Sequence, residues 1–132
     1  HADEPDPPAP SPRRCFELGQ ATARILRDSP WRVVIMASSS WSHGFLTEKN
    51  HWMYPDLDAD RVLLEHLRNN NYAAWRDVPL AQMEAAGQHE VLNWTCLAGA
   101  MHELDLQRLE VHGRVQGRRR YGAGLRIKPL MA

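Results

Sequence analysis

Cysteine is scarce in this chain of 132 residues: Cys15 and Cys96 are the only two. They are too few and too far apart in sequence for a disulfide framework or a cysteine-based zinc site. They read as buried free thiols, and the compartment expected from them is a reducing cytoplasm. Long apolar runs are also lacking. None approaches the roughly 18–20 residues that span a bilayer, so no membrane partner is expected. The opening residues have neither the basic end nor the apolar stretch of a secretory signal. An initiating Met is absent too, and an upstream segment is therefore expected. Net charge is zero, with 16 basic against 16 acidic residues, so total charge selects no partner. Its distribution is uneven. Asp3, Glu4 and Asp6 open the chain, whereas six Arg or Lys and no carboxylate follow Val111. The run Arg118–Arg120 lacks interleaved aromatics and matches no nucleic-acid module, so it reads as a solvated basic tail.

Five prolines among residues 1–13 forbid a helix or a central strand and make this stretch an extended linker. A helix is predicted over 14–27, with Cys15, Leu18, Thr22, Ile25 and Leu26 on its inner stripe. Trp31 to Ala37 (WRVVIMA) reads as a strand covered on both faces, because its apolar run is continuous. Residues 45–54 read as a loop. Further helices are predicted over 58–69 with Leu63, Leu64 and Leu67 inside, from Pro79 to about Gly87, and over 88–104. That last helix carries Val91, Leu92, Thr95, Ala98 and Met101, with Gly99 as its weak point. The order of a helix, a short break and a buried strand predicts an α/β fold in which helices flank a mostly parallel sheet. Residues 14–104 would form its domain portion. Residues 105–132, rich in glycine and arginine, would be an atypical basic tail: a mobile segment, a short hairpin, or an ending foreign to the domain.

Two residues stand out chemically. His43 follows the expected strand and Ser38-Ser39-Ser40, where ligands of open α/β sheets bind. An imidazole there can take and give protons near neutral pH, or simply hydrogen-bond at a strand end. Glu90 stands at a helix start, where a carboxylate complements the helix dipole. It could also ligate a metal, since one carboxylate and two imidazoles form the facial triad of non-haem Fe(II). His89 is adjacent and faces elsewhere. His51, His66, His102 and His112 show no metal-ligand spacing. Trp41 is the tryptophan placed to meet an aromatic ligand.

Four segments, taken in order, resemble a known family: PPAPSPRRCFELG (Pro7–Gly19), VVIMASSSWSHGFL (Val33–Leu46), the Tyr54-Pro55-Asp56 and Asp60-Arg61 neighbourhood, and GQHEVLNW (Gly87–Trp94). The chain resembles the catalytic subunit of class III extradiol dioxygenases, the group that includes protocatechuate 4,5-dioxygenase. The likeness covers about Pro7 to Leu104. It implies Fe(II) as cofactor, with catecholic substrates opened beside the diol by O2. It places Glu90 on the carboxylate iron ligand and His43 on the acid/base residue. The two His ligands of the family fall upstream of everything in this chain. The resemblance therefore implies the C-terminal portion of a larger domain, inactive alone, with a small partner subunit or a second copy as further partner. A non-catalytic binding or assembly protein of the same fold is the alternative.

Overall fold

The computed structural model describes residues 9–105 and the backbone of 109–113 and 125–129. The opening acidic residues, the Arg118–Arg120 run and the side chain of His112 lie outside the described residues.

Helix α1 spans Pro12–Arg27 and starts where the sequence supplies both a cap and a breaker. The Ser11 hydroxyl accepts from the Arg14 amide, and Pro12 occupies the first turn, where its missing N–H costs nothing. Its buried face is Pro12, Cys15, Phe16, Gly19 and Ala23, while Leu18 and Ile25 are exposed. The buried stripe is thus rotated by part of a turn from the expected one. The cause is steric: Phe16 carries the large buried ring, and the nearby Gly19 is an approach surface.

Helix α2 spans Leu57–Arg68, capped by Asp56 through the Ala59 amide. Two short helices follow, α3 at Ala73–Arg76 and α4 at Leu80–Ala85. Helix α5 spans Val91–Glu103. Helices α1 and α5 cross at two glycines. A Cβ on Gly19 would collide with the Cys96 carbonyl oxygen, and one on Gly99 would collide with that of Phe16. Phe16, Leu63, Leu67, Tyr72, Trp75, Met83, Val91 and Trp94 form the core beneath this crossing. The Trp75 indole donates to the Leu63 carbonyl at 3.1 Å, so its one polar atom is buried with a partner.

The expected α/β fold with a parallel sheet is not found. Residues 9–105 are helical and contain no strand. The one described sheet is a two-stranded antiparallel pair, β1 at Leu109–Gly113 with β2 at Leu125–Pro129, with Val111 opposite Ile127. The stretch expected as a buried strand, Trp31–Ala37, has no strand partner among the described residues, and Trp31, Val34 and Met36 are 77%, 81% and 87% exposed. An apolar run records a preference for burial, but a strand exists only when a neighbour completes its hydrogen bonds. The run instead borders a groove with Leu18 and Thr22 of α1 and Asn93 and Leu97 of α5. The loop expected over 45–54 is largely borne out, although two turns of 3-10 helix, Gly44–Leu46 and Glu48–Asn50, shape it.

Candidate functional site

The site forms where the chain, after the Trp31–Ala37 run, meets the start of α5. The three serines at 38–40 are stitched to that helix end. The Ser38 carbonyl accepts from the Asn93 amide group at 3.2 Å, and the Ser39 hydroxyl donates to the Glu90 carbonyl at 2.5 Å. The Ser40 hydroxyl lies 2.6 Å from Glu90 Oε2 and 2.8 Å from His43 Nε2. His43 Nε2 itself is 3.6 Å from Glu90 Oε2. The two residues singled out in the sequence are therefore neighbours, with Ser40 between them.

Gly87 makes this juxtaposition possible. Its φ of +67° is costly for any residue with a Cβ, and a Cβ there would meet the Thr47 hydroxyl at 2.5 Å and the His43 carbonyl at 2.7 Å. The His43 amide donates to the Gly87 carbonyl at 2.9 Å, and the Thr47 hydroxyl donates to the His43 carbonyl at 2.7 Å. Beneath the pair, the buried Asp60 of α2 accepts from the Ser42 hydroxyl at 2.6 Å and from the Gln88 side-chain amide at 2.8 Å.

Electrostatics assign the protons. The hydrogen bond from Ser40 is the largest influence on Glu90 and holds its carboxyl below the usual range, and the neighbouring His43 lowers it further. Glu90 is then an anion at neutral pH and can only accept. Ser40 has a single proton, and that proton goes to Glu90. Its oxygen is left to accept from His43, which places a proton on Nε2. This order distinguishes the cluster from a hydrolase triad, in which the serine donates to the imidazole. Glu90 does not act as a side-chain cap of α5; its carboxylate turns to Ser40 and remains half-exposed.

Phe45 lies against the His43 ring with centroids 4.9 Å apart and is 67% exposed. It, rather than Trp41, offers an open aromatic face beside the imidazole. Trp41 packs edge-on to Trp94 at 5.0 Å and belongs to the core margin. Sequence reasoning misses Ser40, Phe45, Asp60 and Gln88. Ser40 and Phe45 stand within three residues of His43, which is the available signal. Nothing in the spacing links Asp60 to position 42 or 88. No side-chain hydrogen bond or ion pair joins His89, His51, His66 or His102 to Ser40, His43 or Glu90 among the described residues.

A family model described as the catalytic LigB subunit of aromatic ring-opening dioxygenase matches residues 6–123. The chain belongs to this family. A gallate dioxygenase of Pseudomonas putida strain KT2440 is 30% identical over 99 residues. That match covers 71% of this chain and 28% of the relative, so the chain spans under a third of the length of that protein. No solved structure matches the chain. No helix among the described residues is long and apolar enough to cross a membrane.

Proposed function

We propose that this chain carries the carboxylate and acid/base portion of a non-haem Fe(II) extradiol dioxygenase, which opens catecholic rings with O2. The observation that supports the reading is the 3.6 Å approach of His43 Nε2 to Glu90 Oε2 with Ser40 between them. These residues do not make an iron site unaided. Among the described residues, no group of three His, Cys, Asp or Glu side chains could hold a metal. Glu90 is one hard, anionic, half-exposed oxygen donor, and a facial triad needs two imidazoles besides. The family resemblance places both imidazoles upstream of the segments that carry it.

What the chain's own residues can do follows from their geometry. His43 has a largely buried side chain and is held through its backbone by Gly87 and Thr47, so it is fixed enough to meet a substrate hydroxyl. With Nε2 protonated and bonded to Ser40, the ring's other nitrogen, Nδ1, is the one able to take a proton from a catechol hydroxyl. The Phe45 ring offers a face to a planar substrate. A small partner subunit or a second copy would cover the exposed apolar residues around Trp52 and Met53.

Oxygen uptake by the protein that contains this chain, loaded with Fe(II) and offered gallate and other catechols, tests the reading. Uptake tied to substrate, reduced on the order of a hundred- to ten-thousand-fold in His43→Ala, is expected. Undiminished uptake in that variant would remove His43 from the chemistry. The non-catalytic assembly reading draws on the exposed Trp31, Val34 and Met36. It predicts a stable complex and no uptake with any catechol.

A further inference from the structure

We infer that Asp60 is a positioning residue that sets the spacing of His43, Ser40 and Glu90, acting through Ser42 and Gln88. The inference rests on the dioxygenase reading only for the use to which that spacing is put. Asp60 sits in the first turn of α2 and is 8% exposed. Its Oδ1 accepts from the Ser42 amide at 3.1 Å and from Gln88 Nε2 at 2.8 Å, and its Oδ2 accepts from the Ser42 hydroxyl at 2.6 Å and the Ser42 amide at 3.3 Å. Ser42 adjoins His43 in the chain, and Gln88, 3% exposed, lies two residues before Glu90. One carboxylate thus grips both sides of the cluster from below.

A buried carboxylate is a costly way to join two loops unless its oxygens are well supplied with donors. Burial pushes the Asp60 carboxyl up, and the Ser42 and Gln88 hydrogen bonds draw it back. No cation bonds to it among the described residues, so the donors on the two loops are what compensate its burial. The arrangement is directional. Ser42 brings two donors, its amide and its hydroxyl, and Gln88 a third, which fixes the rotation of the 40–43 segment relative to the Gly87–Glu90 turn. The backbone bond from His43 to Gly87 joins the same two segments on the other side. A core tether alone would hold the loops together. This one also determines which way residue 43 leaves the loop.

The test is the tautomer of His43, read from the nitrogen-15 shifts of its ring at fixed near-neutral pH. The indole signal of Trp75, which donates to Leu63, reports the core in the same sample. The wild-type chain is expected to show the proton on Nε2. In Asp60→Ala, the His43 nitrogens should move toward a mixture of tautomers while the Trp75 signal stays in place, and Asp60→Asn should recover part of the change. An unchanged His43 in Asp60→Ala with the core intact would overturn the inference. Should Asp60→Ala lose the Trp75 signal, Ser42→Ala and Gln88→Ala decide, because each removes one grip and leaves Asp60. A shift in either supports positioning, and none in both overturns it. These outcomes are separate from catalysis. A protein that shows the tautomer change but takes up no oxygen with any catechol would sink the dioxygenase reading and leave Asp60 in its role.

Discussion

Ser40 has one proton and two neighbours able to hydrogen-bond with it, and the choice between them organises the site. The choice falls to Glu90 because a carboxylate is the stronger acceptor. In Ser40→Ala the Glu90 carboxyl should therefore rise toward its ordinary value, which a carbon-13 titration of the side chain would follow. The sign is fixed by linkage. A carboxyl lowered by folding adds stability above its unfolded pKa and loses it as pH falls through the folded one. The variant should accordingly be less acid-sensitive in this respect, and an unmoved Glu90 would contradict the proton order. Cys15 gives a second test at this scale. Burial pushes its thiol from 9.0 to about 11, so its thiolate fraction at pH 8, and its alkylation, should fall about a hundredfold relative to the unfolded chain. Mass spectrometry after timed alkylation would show it, and equal rates folded and unfolded would exclude the buried-thiol account. His43 and Glu90 stand out in the sequence through the Ser42-His43-Gly44 turn and the Gly87-Gln88-His89-Glu90 helix start, taken in that order. Ser40 is visible there only as a small hydroxyl neighbour, since a relay is a property of three atoms in space.

At the scale of elements, the crossing of α1 and α5 runs against simple propensity. Alanine in place of Gly99 should strengthen an isolated helix by about 1 kcal/mol. In the fold, its methyl group would press on the Phe16 carbonyl, a backbone atom that cannot turn aside. Gly99→Ala is therefore expected to lose roughly 1–3 kcal/mol in urea unfolding, as overpacking does. A gain would mean the helices do not meet there. The apparent weak point of α5 in the sequence is thus its docking face, and a one-dimensional propensity has no means to show that. Helices α2, α4 and α5 are readable because their caps and apolar spacing act locally: Asp56 before α2, Pro79 before α4, and Val91, Thr95, Ala98 and Met101 along α5. Trp31–Ala37 reads falsely as a strand for the opposite reason. Strand pairing is non-local, and no partner strand occurs among residues 9–105.

For the molecule as a whole, large apolar side chains stand exposed in two stretches of the chain. Trp31, Val34 and Met36, and further along the chain Phe45, Trp52, Met53 and Tyr54, are more than half exposed. Exposed apolar groupings of this kind mark surfaces that associate. Sedimentation of the chain by itself should show concentration-dependent self-association, and a monomer with a sharp cooperative thermal transition across the same range would argue against it. Family membership is legible from short motifs in order, because motif residues sit at the turns that build the site: Gly44 and Gly87 beside His43, and Glu90 at the start of α5. The helical architecture around them is not, since it depends on which neighbours the apolar segments find. The central claim is that Glu90 holds a metal that His43 serves without binding. Iron stoichiometry after anaerobic Fe(II) loading of the protein containing this chain tests it most directly. Glu90→Ala should lose its iron while His43→Ala keeps it and loses oxygen uptake, and iron at wild-type stoichiometry in Glu90→Ala would contradict the account.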